Sequence, residues 1–138
     1  FDKLEKFIEE QVFEGKKSIR FHHVHIDPFF IRGTNQSQAK EILGIGSKNK
    51  KMSAFAEEQL NLFEEMIKNY DPTLIIILNA TASHILSNRW NSSPDENDIK
   101  TSFDFLRAKV ICGGMLFGAG GMDNYSKKRF AKEIFHSL

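Results

Sequence analysis

Apolar residues return at helical spacing near the start of the chain. Leu4, Phe7, Ile8 and Val12 are separated by Glu and Lys, which predicts an amphipathic helix over Asp2–Phe13 that stops at Gly15. Residues Ser18–Ile26 read as a strand: Phe21 is aromatic, Val24 and Ile26 are β-branched, and Asp27-Pro28 ends the run. Residues 29–51 are mostly loop, punctuated by Gly33, Gly44 and Gly46, with a short helix over Ala39–Leu43. Ser53–Tyr70 is the clearest helix. Ser53 can cap it, Glu57 and Glu58 suit its first turn, and Asp71-Pro72 breaks it. Phe55, Gln59, Leu62, Phe63, Met66 and Ile67 make up most of one face.

Thr73–Leu78 is a continuous Ile-rich run of strand length, the pattern of a parallel strand buried on both faces. Thr81–Ser87 starts the next helix, and the polar stretch Asn88–Asp98 reads as an exposed loop. Thr101–Leu106 reads as a short edge strand, and Lys109–Cys112 as a second buried strand. A Gly-rich loop, Gly113–Asp123, leads into a closing amphipathic helix over Ser126–Leu138. The alternation of helix and strand predicts an α/β fold: a three-layer αβα domain with a short parallel central sheet. In such folds ligands bind beyond the carboxyl ends of the strands. That places Asp27–Asn35, Asn79–Ser83 and Gly113–Asp123 together as candidate site segments.

Length supports one domain: 138 residues bury a core without disulfides or metal staples. Hydrophobic residues make up 41% and charged residues 27%, so a folded chain is expected, with 13 Phe supplying much of the buried area. The net charge of +1 is too weak to point to nucleic acid by itself, but steering depends on where charges sit. A single cysteine, Cys112, makes no internal disulfide, and a reducing, cytoplasmic setting is expected. No signal peptide is read at the start, and the longest apolar run, Leu74–Leu78, is far too short to span a membrane.

Three groups of residues carry candidate chemistry. His23, His25 and Asp27 share one face of the first expected strand and resemble the His-x-His-x-Asp zinc sites of metallohydrolases. Pro28 stands where the pattern continues with His, and no second His cluster exists, so strand-face histidines with hydrogen-bond partners are the better reading; no metal is expected. Gly113, Gly114, Gly118, Gly120 and Gly121 form a strand-to-helix turn whose backbone N–H groups can approach a phosphate, or which is simply tight. It fits neither the dinucleotide fingerprint nor the P-loop. Lys127, Lys128, Arg129 and Lys132 give the last helix a basic start, either a solvated face or a partner for a DNA backbone. Cys112 reads as a small core residue rather than a nucleophile.

Three segments in order resemble the uracil-DNA glycosylase superfamily. Val24–Asn35 (Val-His-Ile-Asp-Pro-Phe-Phe-Ile-Arg-Gly-Thr-Asn) is similar to the strand and loop that carry the base-reading Asn and an Arg-Pro-Pro-Gly-Asn-like turn. Asp71–Ala82 is similar to the family's Pro-initiated buried strand and its Gly-Ala-x-Ala turn, with Asn79 in place of the Gly. Val110–Leu116 and the helix from Ser126 stand where the family has its last strand, its His-Pro-Ser loop and its closing helix. The resemblance is one of order and spacing. The family's first motif, which holds the water-activating acid or Asn, would lie upstream of Phe1. Cys112-Gly113-Gly114-Met115 replaces the motif His, and Asp27 replaces the base-reading Asn.

The resemblance implies a domain that binds DNA and excises an altered base by N-glycosidic hydrolysis, without a cofactor. Asp27 would read the base, accepting from an exocyclic amine, or it is a strand-end cap before Pro28. Phe29, Arg32, Asn35 and Asn79 would complete the substrate pocket. Gly113, Gly114, Met115 and Leu116, with Lys127 and Lys128, would meet DNA, and Met115 and Leu116 stand where the family inserts a wedge. Two alternatives stand beside it. One is a catalytically inactive nucleic-acid-binding or interaction module of the same fold, favoured by the missing His. The other is a metal-dependent small-molecule or nucleotide hydrolase using the His23, His25 and Asp27 face.

Overall fold

The computed structural model describes residues 2–12, 24–29, 35–45, 51–91, 102–114 and 121–138. The chain forms two compact units, one made of Phe1–His22 with Pro72–Leu138 and the other of His23–Asp71. The first unit holds every strand among the described residues, in an α/β arrangement with a small mixed sheet.

Helix α1 spans Asp2–Phe7, and the chain continues over Ile8–Val12 as a wider π-helical turn. This covers the expected first helix, although its second half is not α-helical. Strand β1 (Leu74–Ile77) leads into helix α4 (Ala80–Trp90), so named because helices α2 (Gln36–Leu43) and α3 (Ala54–Tyr70) precede it in the other unit. Strands β2 (Ser102–Phe105) and β3 (Ala108–Cys112) follow, and helix α5 (Asn124–Ser137) closes the chain.

The sheet order is β1-β3-β2. β1 and β3 run parallel, with Ile76 opposite Ile111 and Ile77 opposite Cys112. β2 runs antiparallel to β3 as a hairpin, so the sheet is mixed and the expectation of a parallel one is corrected. The reason lies in the two-residue link Leu106-Arg107: a connection that short can only reverse the chain, while a parallel crossover needs a dozen residues or more. Leu106 takes the left-handed conformation, φ 53°, that tight hairpins require.

Alternation along the strands sends neighbouring side chains to opposite faces. Leu74, Ile76 and Ile111 pack with Phe130, Ala131 and Ile134 of α5 and with Phe7 and Ile8. Cys112, on the opposite face, meets Ser87 of α4 at 3.7 Å. Helices therefore pack on both faces. Val110 and Ile111 are fully buried, whereas Leu74, Ile75 and Ile76 are only half-buried, because β1 is an edge of this sheet rather than its centre. Helix α4 runs to Trp90, three residues past its expected end. The Trp90 ring stacks on Phe105 with centroids 4.1 Å apart and planes 10° from parallel, which gives that last turn a packing partner.

In the second unit, Ser53 caps α3 through its hydroxyl, which accepts from the Ala56 N–H at 3.2 Å. The buried stripe is Ala56, Leu60, Phe63 and Ile67, so the expected face is turned by one position. Phe55 and Leu62 are 45% and 51% exposed. Helix α2 begins three residues earlier than its expected start and ends at Gly44, whose φ of 71° suits glycine and lets its N–H reach the Glu41 carbonyl. The strand expected at Ser18–Ile26 lies outside the described residues up to His23. Val24, His25 and Ile26 are not in a strand, and Val24 is 56% exposed rather than packed.

Candidate functional site

The parallel pair delivers two segments to its carboxyl end. β1 runs out through Leu78 to Asn79, whose Oδ1 accepts from the N–H groups of Thr81 (2.9 Å) and Ala82 (3.1 Å) and so starts α4. β3 runs out into Gly113 and Gly114. Between them and α5 opens a crevice of about 330 Å³, with Ser83, Gly113, Met122, Arg129, Phe130 and Glu133 among its lining side chains and backbone. Two hydrogen bonds hold Gly113 in place beside it. The Gly113 N–H donates to the Ile77 carbonyl at 2.7 Å, and the Ser83 hydroxyl donates to the Gly113 carbonyl at 3.1 Å. The Gly113 N–H is thus already engaged within the sheet.

Cys112 also lines this crevice, but burial pushes its thiol pKa up. Hydrogen bonds with Ser87 and Ser83 act in the opposite direction and are the smaller effect. A thiol held neutral is a poor nucleophile. At the α5 start, the Ser126 N–H donates to the Asp123 carboxylate at 2.7 Å and holds that carboxyl below its usual range, with Arg129 adding a weaker pull. Asp123 serves as the helix cap, so its charge is spent on the first turn of α5.

A second hollow, of about 370 Å³, lies on the other flank of α5. Helix α1, the π-helical turn and the first turns of α5 form its walls. Phe7 is buried beneath it against the core. Among the described residues, Lys3, Lys6, Lys127 and Lys128 line it together with the acid Glu10. Lys6 and Glu10 approach to 3.7 Å across one turn, both largely exposed. Such an exposed pair contributes little in water.

The structure brings together only part of the set expected from sequence. Lys127 and Lys128 line the basic groove, and Gly113 and Gly114 line the carboxyl-end crevice, on opposite flanks of α5. Asn79 and Asn35 serve as helix caps: the Asn35 Oδ1 accepts from the Gln38 N–H at 2.9 Å. Asp27 is exposed, with its carboxylate 3.6 Å from Nε2 of His25, which is also exposed, and Phe29 is half-buried. Both belong to the unit of residues 23–71. Arg32, Met115, Leu116 and His23 lie outside the described residues. Among the described residues, no three His, Cys, Asp or Glu side chains converge as metal ligands, and no helix is long and apolar enough to cross a membrane.

Sequence reasoning missed Lys3 and Lys6. Their spacing of three does place both on one helix face, but nothing local says that this face meets the start of α5. It also missed Glu133, four residues from Arg129 on one side of α5; Arg129, expected with the basic start of that helix, faces the crevice rather than the lysine groove. No family model, curated protein or solved structure matches this chain.

Proposed function

We infer that this chain is a nucleic-acid-binding module that engages the DNA backbone through the groove of Lys3, Lys6, Lys127 and Lys128. The observation that carries the reading is the convergence of four lysines from two separate helices on one hollow. Lysine ammonium groups neutralise phosphates and release condensed counterions, which needs positive charge at spaced points rather than a fixed fork geometry. The reading extends to the three-layer, uracil-DNA glycosylase-like form suggested by the order of the sequence segments. It gives that form a binding role in the first place.

Excision of an altered base is the second reading, and the crevice at the carboxyl ends of β1 and β3 favours it, since ligands of open α/β sheets bind there. The binding reading ranks first because the groups best placed for chemistry are occupied. Asn79 caps a helix, the Gly113 N–H closes a sheet bond, and the Cys112 thiol is held neutral.

The test is fluorescence anisotropy with a labelled oligonucleotide across a salt series, with base release measured in parallel on strands carrying uracil or hypoxanthine. Three to four phosphate contacts predict that affinity falls about 40- to 150-fold between 50 and 200 mM salt. Replacing all four lysines with Gln should remove most of that slope. Absence of binding at low salt overturns the reading, and a base-release activity that survives the lysine replacement moves the excision reading to first place.

A further inference from the structure

The exposed side of α5 carries more than charge. Phe130, Ala131 and Ile134 are its buried stripe. On the opposite face, Tyr125, Lys128, Lys132 and Phe135 follow one another at spacings of three, four and three, so they form a single line along the helix. Tyr125 is 77% exposed and Phe135 55% exposed, while both lysines between them point to water. Isolated surface aromatics are ordinary. Two of them bracketing two lysines in one stripe, with Lys128 shared with the basic groove, match the alternation of ring and cation that single strands need.

We propose that this face of α5 binds single-stranded nucleic acid, with Tyr125 as a stacking platform for an unpaired base and Lys128 and Lys132 on the adjacent phosphates. The inference rests on the groove binding nucleic acid and adds which form it takes. In a duplex the base faces are already stacked on one another, and a side chain outside meets only edges and phosphates. A ring standing this far into solvent can be covered only by a base that has left the stack. From Tyr125 to Phe135 the helix axis rises about 15 Å, close to four phosphate spacings of a stacked strand. Phe135, which meets His136 edge-on at a centroid distance of 6.0 Å, is the second ring in line.

The experiment compares three probes of equal length: oligothymidine, the same strand with every base removed, and a duplex. Wild-type protein should bind oligothymidine about 5- to 150-fold tighter than the abasic strand, the range that one base-on-aromatic stack supplies. Tyr125→Ala should cut that difference several-fold and leave duplex and abasic-strand binding unchanged, and Tyr125→Trp should restore it. Because Tyr125 buries little surface, its variants should fold, with circular dichroism as the check. Equal binding of oligothymidine by wild type and Tyr125→Ala, or tighter binding of the duplex by the wild type, overturns the stacking proposal and leaves the basic groove standing. Failure of the wild type to bind any of the three probes overturns the groove reading and this inference with it.

Discussion

Gly113 stands where the sheet, α4 and α5 meet, and a single methyl group there should be felt by the whole α/β unit. A Cβ built on Gly113 falls 2.8 Å from Phe130 Cε2, 3.0 Å from Phe130 Cζ and 2.9 Å from Met122 Cε. Carbon atoms settle at about 3.5–4.0 Å, so the clash is roughly 0.7 Å or more. Met122 is flexible and can turn away. Phe130 is only 4% exposed, packed in the cluster with Ile8, Ile111 and Ile134, and the Gly113 backbone is tied to Ile77 and Ser83. The ring must therefore tilt into a filled core, at a cost of about 1–3 kcal/mol. Losing glycine's freedom in the unfolded chain offsets about 0.4–1 kcal/mol of this. Gly113→Ala should therefore destabilise by about 0.5–2 kcal/mol, a fall of some 2–8 °C in Tm. Gly114→Ala is the control: among the described residues a Cβ there meets nothing within 4 Å, so that variant should be neutral or slightly stabilised. Urea unfolding followed by Trp90 fluorescence reads both. If Gly113→Ala unfolds at the wild-type midpoint, or Gly114→Ala falls as far, the packing account of this turn is wrong.

Two further outcomes follow from the caps and the buried thiol. Asn79→Ala should cost about 1 kcal/mol by freeing the Thr81 and Ala82 N–H groups, while Asn79→Asp keeps the acceptor and the stability; thermal melts of the pair distinguish a cap from a base-reading residue. Cys112 should alkylate slowly with iodoacetamide at pH 8 in the folded protein and fast in urea. Because its folded pKa is raised, the stability its neutral thiol contributes is present below the ordinary thiol pKa of about 8.5 and is lost as pH rises through the raised value. A urea midpoint that drops between pH 8 and 10 in wild type by no more than in Cys112→Ala would refute that linkage.

What the sequence made legible is what short-range rules control. Ser53 and Asp71-Pro72 bracket α3 because caps and proline act within a few residues, and the Ile run at β1 is apolar enough to need cover wherever it pairs. The buried face of α3 was placed one position off because Phe55 and Leu62 look as apolar as Ala56 and Leu60, and only packing chooses between the two stripes. Trp90 sits in a polar stretch, Asn88-Arg89-Trp90-Asn91, that reads as loop. Its helical turn has a partner in Phe105, fifteen residues further on, which no local pattern carries. Val24–Ile26 alternate as a strand would, but alternation describes a surface that fits a sheet and supplies no partner strand. The site followed the same rule. Lys127 and Lys128 were visible as a run, whereas the groove exists only because α1 and the π-helical turn lie beside them.

Helix α5 explains how a chain of net +1 can still present a basic groove. Its buried stripe of Phe130, Ala131 and Ile134 fixes its rotation against the sheet, and that rotation sorts every remaining residue. Arg129 and Glu133 are turned toward the crevice, where their opposite charges largely cancel. Lys127 and Lys128 are turned to the other flank, where Lys3 and Lys6 add to them and Glu10 is the acid among the described lining residues. Steering responds to the local field, which falls off within about a Debye length of 8–10 Å, so the balanced crevice does not dilute the lysine groove. The apolar pattern of one amphipathic helix thus decides which flank of the α/β unit is positive. A substitution that rotated α5, such as an over-packed Gly113, should weaken DNA binding and stability together, whereas lysine replacement should weaken binding alone.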